Sequence, residues 1–210
     1  MAKITTLQLN KSKKSVTVFL DDSSFFAIDK VVAGDAGLRK GLDLPEEKVK
    51  ELIEADVYQR CLEVALRFLA YRPRSEREIK YRLRQRGFGS TTIDRVVAKL
   101  REQNLINDAA FAQFWKDSRL SSNPKSRRLI KYELMKKGVT TEEADKATGD
   151  VDDHVNAYKA GLKKARLLSS LSYAEFCKRL SNYLRWRGFN YQVIVAVSER
   201  LWQEKHSGSE

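Results

Sequence analysis

The chain has 210 residues, 42% of them hydrophobic and 32% charged, with 40 Lys and Arg against 28 Asp and Glu for a net charge of +12. That length admits one domain or a few small ones, and the composition allows a folded core beneath a very polar surface. No apolar run is long enough to span a membrane and no signal peptide opens the chain. The two cysteines stand outside any metal-ligand spacing, so a protein of a reducing compartment, most simply the cytoplasm, is expected.

Residues 3–28 read as β-structure. Ile4, Leu7 and Leu9 precede a polar stretch at 10–14, residues 16–20 form a second apolar run, 21–24 a turn, and 25–28 a third run. Such a meander is too small to stand without packing on helices. Residues 29–38 suit a short helix stopped near Gly37 or Gly41, and Pro45 suits the first turn of the next, with Glu46 and Glu47 behind it. From Glu51 the pattern is helical: Val57, Cys61, Leu62, Ala65, Leu66 and Leu69 form one stripe, which ends at Tyr71-Arg72-Pro73. Further helices are expected over 75–86, 91–103, from Asn107-Asp108 through Phe111, Phe114 and Trp115, over 126–137, 141–147, from Val155 to Ala165, and over 172–187 and 191–203. Cys61 and Cys177 fall inside these apolar patterns, which makes reduced packing residues of both.

One short pattern recurs three times. Leu83-Arg84-Gln85-Arg86-Gly87-Phe88, Leu134-Met135-Lys136-Lys137-Gly138-Val139 and Leu184-Arg185-Trp186-Arg187-Gly188-Phe189 place their glycines at 87, 138 and 188. Each reads as a helix end: Gly takes the left-handed position, the basic residue suits the negative terminus, and the apolar residue folds back onto the last turn. Ser75 and Ser126 lie the same distance before the first two glycines, and Ile79-Lys80-Tyr81 matches Ile130-Lys131-Tyr132. Ser75 with Glu78, and Ser172 with Glu175, fit capping boxes. The latter lies further from its glycine, so the third middle helix should be about one turn longer. The expected fold is mainly α, a tandem array of three three-helix repeats, elongated and curved, with a small N-terminal antiparallel β-meander. The boundaries expected are an N-terminal extension over 1–44, a linking helix and first repeat over 45–105, a second repeat over 106–149, and a third with a polar tail over 150–210.

The excess charge is localised. Residues 1–55 are neutral, 56–140 carry +11 and 141–210 only +1. Concentrated basic charge attracts polyanions or an acidic protein surface, whereas a surface built only for solubility mixes the signs. With Ile79 and Leu83 inward, the 100° step of a helix turns Arg77, Tyr81 and Arg84 outward and Lys80 to the flank. With Ile130 and Leu134 inward, Arg128 and Tyr132 face out and Lys131 takes the flank. Lys125 and Arg127 add charge at the start of that helix. The Arg-x-x-x-Tyr pairs suit phosphate contacts with base stacking, or equally tyrosines packed on the next repeat beneath snorkelling arginines. Lys178 and Asn182 stand at the matching points of the third repeat, which then binds something else or only completes the array.

Little supports catalysis or a cofactor. His154 and His206 have no partner at metal spacing, and no P-loop, dinucleotide fingerprint or nucleophile elbow is present. His206 falls in a polar tail expected to fray. Asp150, Asp152 and Asp153 could hold Mg²⁺ for nuclease chemistry, but their place before the third repeat better suits a helix N-terminus.

The residues resemble those of the RecX regulatory proteins. Ala65-Leu66-Arg67-Phe68-Leu69-Ala70-Tyr71-Arg72-Pro73-Arg74-Ser75, then Glu78-Ile79 and Leu83, look like that family's opening repeat. Leu105-Ile106-Asn107-Asp108-Ala109-Ala110-Phe111-Ala112 is similar to its link into the second. Asn123-Pro124-Lys125-Ser126-Arg127-Arg128-Leu129-Ile130, ending at Gly138-Val139, resembles its basic middle helix, and Tyr183 to Phe189 its closing repeat. The resemblance covers residues 57–203, and the β-rich start resembles the extension of longer members. Ser126 stands where many members have Gly, and Ala109 where an acidic residue is common; both are expected to lie off the helix cores. The resemblance implies a non-enzymatic regulator; a monomer without cofactor is expected. Its partners would be the RecA filament and single-stranded DNA, directly or through the filament, and it would suppress ATP hydrolysis, strand exchange and co-protease action. The contact residues expected are Arg77, Lys80, Tyr81, Arg84, Lys125, Arg127, Arg128, Lys131 and Tyr132. A plain nucleic-acid-binding helical repeat is the alternative.

Overall fold

The structure, a computed structural model, describes residues 2–11, 14–21 and 23–207. Ser12, Lys13 and Asp22, read above as polar connections, lie outside the described residues, as do the last three residues of the tail and the His206 side chain. The chain divides into two units, residues 1–72 with 79–106, and residues 73–78 with 107–210.

The first unit opens with strands β1 (Ala2–Leu9), β2 (Ser15–Leu20) and β3 (Phe25–Asp29), joined as an antiparallel meander with Val18 opposite both Leu7 and Phe26. Helix α1 (Lys30–Asp35) follows, capped by the Asp29 carboxylate, which accepts the Val31 N–H at 2.8 Å. A two-residue strand β4 (Asp43–Leu44) then pairs with the start of β1, giving the order β3-β2-β1-β4. Gly37 and Gly41 both have positive φ, in keeping with a chain that must reverse between α1 and β4.

Helix α2 (Glu46–Leu69) begins after Pro45, with Glu46 and Glu47 at its positive end. Its first half closes the sheet: Leu52 joins Ile4, Val18, Ile28, Val32 and Leu44 in one buried core. Asp56, almost wholly buried, accepts the Asp29 backbone N–H at 2.7 Å and pairs with Arg60 at 2.7 Å, tying the end of β3 to the helix. The second half of α2 packs with α3 (Glu76–Gln85) and α4 (Ser90–Glu102), and Cys61, Ala65, Ile79, Leu83, Ile93, Val96 and Leu100 fill that core. Burial pushes the Cys61 thiol up to about 11, which keeps it protonated and inert. Cys177 is only partly buried.

In the second unit α5 (Asp108–Ser122), α6 (Arg127–Lys136) and α7 (Thr141–Thr148) surround Phe111, Ile130, Leu134, Val139 and Ala144. The brevity of α7 follows from its few apolar residues; Thr148 is buried by donating its hydroxyl to the Ala144 carbonyl. Helices α8 (Asp153–Arg166), α9 (Tyr173–Trp186) and α10 (Tyr191–Ser207) enclose Ala157, Phe176, Leu180, Leu184, Phe189, Val193 and Leu201. Helix α9 has 14 residues against 10 in α3 and α6, the extra turn that the Ser172 spacing predicts. Helix α10 runs to Ser207, a turn beyond the expected end, so the backbone at His206 is helical rather than frayed. The architecture is thus mainly α, three three-helix groups preceded by a small antiparallel sheet.

Candidate interaction surface on the middle helices

The middle helices α3, α6 and α9 end alike. Gly87, Gly138 and Gly188 have φ of 83°, 93° and 85°. Each glycine N–H reaches back three residues, to Arg84, Met135 and Arg185, and the next N–H, of Phe88, Val139 and Phe189, reaches the carbonyls of Leu83, Leu134 and Leu184. This double closure is the Schellman motif, and it needs a left-handed residue at the glycine.

These ends also receive the beginnings of other helices. Ser75, in the short segment that belongs to the second unit, caps α3 by accepting the Glu78 N–H at 3.2 Å and donates its hydroxyl to the Lys137 carbonyl at 2.6 Å. Ser126 caps α6 by accepting the Leu129 N–H at 3.1 Å, and its own N–H donates to the Arg187 carbonyl at 3.0 Å. The next residue of each segment, Glu76 or Arg127, donates its N–H to the first residue of a following helix, Asp108 at 2.9 Å or Asp153 at 2.7 Å. The positive start of one middle helix therefore meets the negative end of another, twice, through the Ser75 hydroxyl in one junction and the Ser126 backbone N–H in the other. Ser126, expected off the core, is fully buried in this junction. Its hydroxyl and backbone are consumed there, which is why a polar residue tolerates that place.

The nine expected contact residues fall into two groups. Arg77, Arg84, Arg127 and Arg128 are exposed, and none has an ion-pair partner among the described residues. Tyr81 and Tyr132 are 61% and 52% exposed, so neither is packed away. The Gln85 amide donates to the Tyr81 hydroxyl at 2.8 Å, and Lys136 lies 4.8 Å over the Tyr132 ring. The other three cations are engaged. Lys80 pairs with Asp94 at 2.9 Å, and Lys131 pairs with Asp145, each joining a middle helix to the third helix of its group. Lys125 is mostly buried against Glu133.

Glu133 is the centre of a network that spacing alone does not reveal. It accepts from Lys125, from Arg119 Nε at 2.7 Å and from the Trp115 indole at 2.8 Å. Burial works to raise its pKa, but these hydrogen bonds and the charge of Arg119 together hold it below the ordinary glutamate value. Arg119 and Lys137 each lie 4.1 Å from the Trp115 ring, and Lys137 also pairs with Glu78 at 2.6 Å. A second missed pair joins Lys116, only 3% exposed, to both oxygens of Asp150 at 2.9 and 3.0 Å. Asp152 caps α8 and Asp153 holds the Arg127 N–H, so the acidic cluster is spent on structure. Among the described residues no group of acids, histidines and cysteines could hold a metal ion, and no helix is long and apolar enough to cross a membrane.

Comparison with known proteins agrees with this architecture. Residues 61–100 match the model of the first three-helix domain of RecX and residues 107–147 that of the second. A "Regulatory protein RecX" of Clostridium perfringens (strain SM101 / Type A) is 29% identical over 212 residues, covering 98% of this chain and 99% of that one. Another, of Listeria monocytogenes serotype 4b (strain CLIP80459), is 33% identical over 202 residues, covering 94% of this chain and 75% of that one. Among solved structures, RecX from Lactobacillus salivarius superposes with a TM-score of 0.59 at 26% identity, over 70% of this chain and 97% of that one. A crystal structure of regulatory protein RecX reaches 0.70 at 24% identity over 95% of this chain and 100% of that one, a likeness of fold. With two matching three-helix domains and relatives that align over nearly its whole length, the chain belongs to the RecX family of regulatory proteins.

Proposed function

We propose that this protein binds the RecA–single-stranded-DNA filament and restrains it, lowering ATP hydrolysis, strand exchange and co-protease action without catalysing a reaction itself. The observation that carries the contact is the set of exposed guanidiniums at Arg77, Arg84, Arg127 and Arg128, which have no ion-pair partner among the described residues. Guanidinium forks match carboxylates and phosphates, the two anions a protein–DNA filament presents. Lys80, Lys125 and Lys131 act by holding the helices that display these arginines, since their charges are met within the protein. Tyr81 and Tyr132 extend the contact with exposed rings. The protein acts in the cytoplasm as a single chain.

The test is titration into a RecA filament ATPase assay. Reversal of Arg77, Arg84, Arg127 and Arg128 to Glu should relieve inhibition while helical content is kept; reversal of Lys159 and Lys163 on α8 should not. Full inhibition by the fourfold variant refutes the contact. The exposed tyrosines favour a second reading, direct nucleic-acid binding without a recombinase partner. That reading requires tight binding to naked DNA with a log–log salt slope near about −0.7 per phosphate contact on a single strand; a filament regulator binds the filament far better than bare strand.

A further inference from the structure

The third group of helices lacks the arginine–tyrosine pairs of the first two, yet it leaves two large rings in water. Trp186, the last residue of α9, is 86% exposed, and Tyr191, the first of α10, is 76% exposed. Phe189 between them is 3% exposed and belongs to the core. The turn is therefore pinned by Phe189 and by the Gly188 closure, with one ring displayed on each side. Trp115 and Trp202 are partly buried; Trp186 is the indole given to solvent. Neither ring packs on another aromatic ring among the described residues.

Cations stand beside them. Arg185 is exposed and precedes Trp186 on α9. The start of α6 is seated on the same turn, with the Ser126 N–H on the Arg187 carbonyl at 3.0 Å and both Ser126 Oγ and Leu129 Cβ against Gly188. That seating brings exposed Arg127 and Arg128 to the edge of the turn. Arg187 is turned inward instead, donating to Asn123 at 2.9 Å and lying 3.7 Å over the Tyr183 ring.

We infer that the α9–α10 turn, with the first turn of α6 beside it, is a base-stacking platform for single-stranded nucleic acid. Bases lie on Trp186 and Tyr191, and phosphates are met by Arg127, Arg128 and Arg185. Exposed π-faces flanked by guanidiniums fit unstacked bases joined by phosphates. A duplex hides its base faces, and an acidic protein surface offers carboxylates but nothing flat for both rings. The platform deepens the filament reading by giving bare strand a seat of its own, and it stands or falls separately, because filament inhibition is measured independently.

The experiment uses the full chain with an oligothymidylate, the abasic strand of equal length, and a duplex. Trp186→Ala with Tyr191→Ala should weaken oligothymidylate binding about tenfold per ring. Abasic and duplex binding, the salt slope and the circular dichroism should stay as in the parent. Oligothymidylate should quench tryptophan fluorescence in the parent and not in Trp186→Phe, which keeps a stacking ring and most of the affinity. Equal oligothymidylate binding by the parent and the double variant overturns the proposal. So does parent binding of the abasic strand as tight as of oligothymidylate, or a Trp186→Phe loss as large as that of Trp186→Ala. No binding of oligothymidylate by the parent, with filament inhibition intact, removes the platform and leaves the filament reading standing.

Discussion

A Cβ on Gly188 would stand 2.6 Å from Ser126 Oγ and 2.8 Å from Leu129 Cβ, so the end of α9 and the start of α6 meet across the space of a missing methyl group. Gly138 meets Arg77 in the same way, at 2.6 Å from its Cβ. The recurring glycine thus has two jobs at these places: it takes the left-handed turn and it lets another helix approach. Gly87 has the same φ and open space around it.

That difference predicts an order of damage. Gly87→Ala should cost about 1–2 kcal/mol, the strain of a left-handed residue alone. Gly138→Ala and Gly188→Ala add a clash with a Cβ that cannot swing away, for a total of about 3 kcal/mol or more. Urea midpoints of the three variants should fall in that order; equal losses would show that the close approach has no energetic weight.

The two capping serines should differ as well. Ser126→Ala loses one side-chain cap, about 1 kcal/mol, and Ser126→Gly only a few tenths. Ser75→Ala loses the cap and also strands the Lys137 carbonyl that its hydroxyl serves, for about 2 kcal/mol. Thermal unfolding of the three variants reads this directly, and a Ser75→Ala variant no worse than Ser126→Ala would contradict the double role.

Lys80 and Lys131 separate charge that displays from charge that braces. Double-mutant cycles on Lys80–Asp94 and Lys131–Asp145 should each give a coupling of about 0.5 kcal/mol, as partly exposed ion pairs do. Lys80→Gln with Lys131→Gln should leave inhibition of RecA ATPase unchanged, whereas Arg77→Gln with Arg128→Gln should weaken it. The reverse result would move the contact face to the flank of the helices.

The sequence carried the helix ends plainly, because a Schellman closure writes itself as Leu-x-x-x-Gly-apolar in consecutive residues. It also carried the inward faces of α3 and α6, since Ile79, Leu83, Ile130 and Leu134 obey one period and are all fully buried. What it hid was pairing across elements. Lys125 looks like one more surface cation until the fold brings Glu133 to it, and Lys80 until α4 brings Asp94. Trp186 reads as a helix-end residue among arginines, and only the filling of the core by Leu184 and Phe189 leaves it outside. Strand β4 was invisible for another reason: two residues are too few to show alternation.

Glu133 sets a pH dependence. Its pKa in the folded protein lies below the ordinary value of about 4.3. The unfolded chain therefore binds the proton first on acidification. The stabilisation from the Arg119, Lys125 and Trp115 bonds is fully present above about pH 4.3 and is lost as pH falls through the lower folded value. Glu133→Gln should destabilise the protein at neutral pH, because Arg119 and Lys125 are left partly buried without a counter-charge. The variant should also lose less stability than the parent between pH 5 and the acid limit. Urea unfolding at a series of pH values measures both effects. Parallel stability curves for parent and variant would place the acid sensitivity in other carboxylates, Asp150 first, whose pKa is lowered by its hydrogen bonds from Lys116.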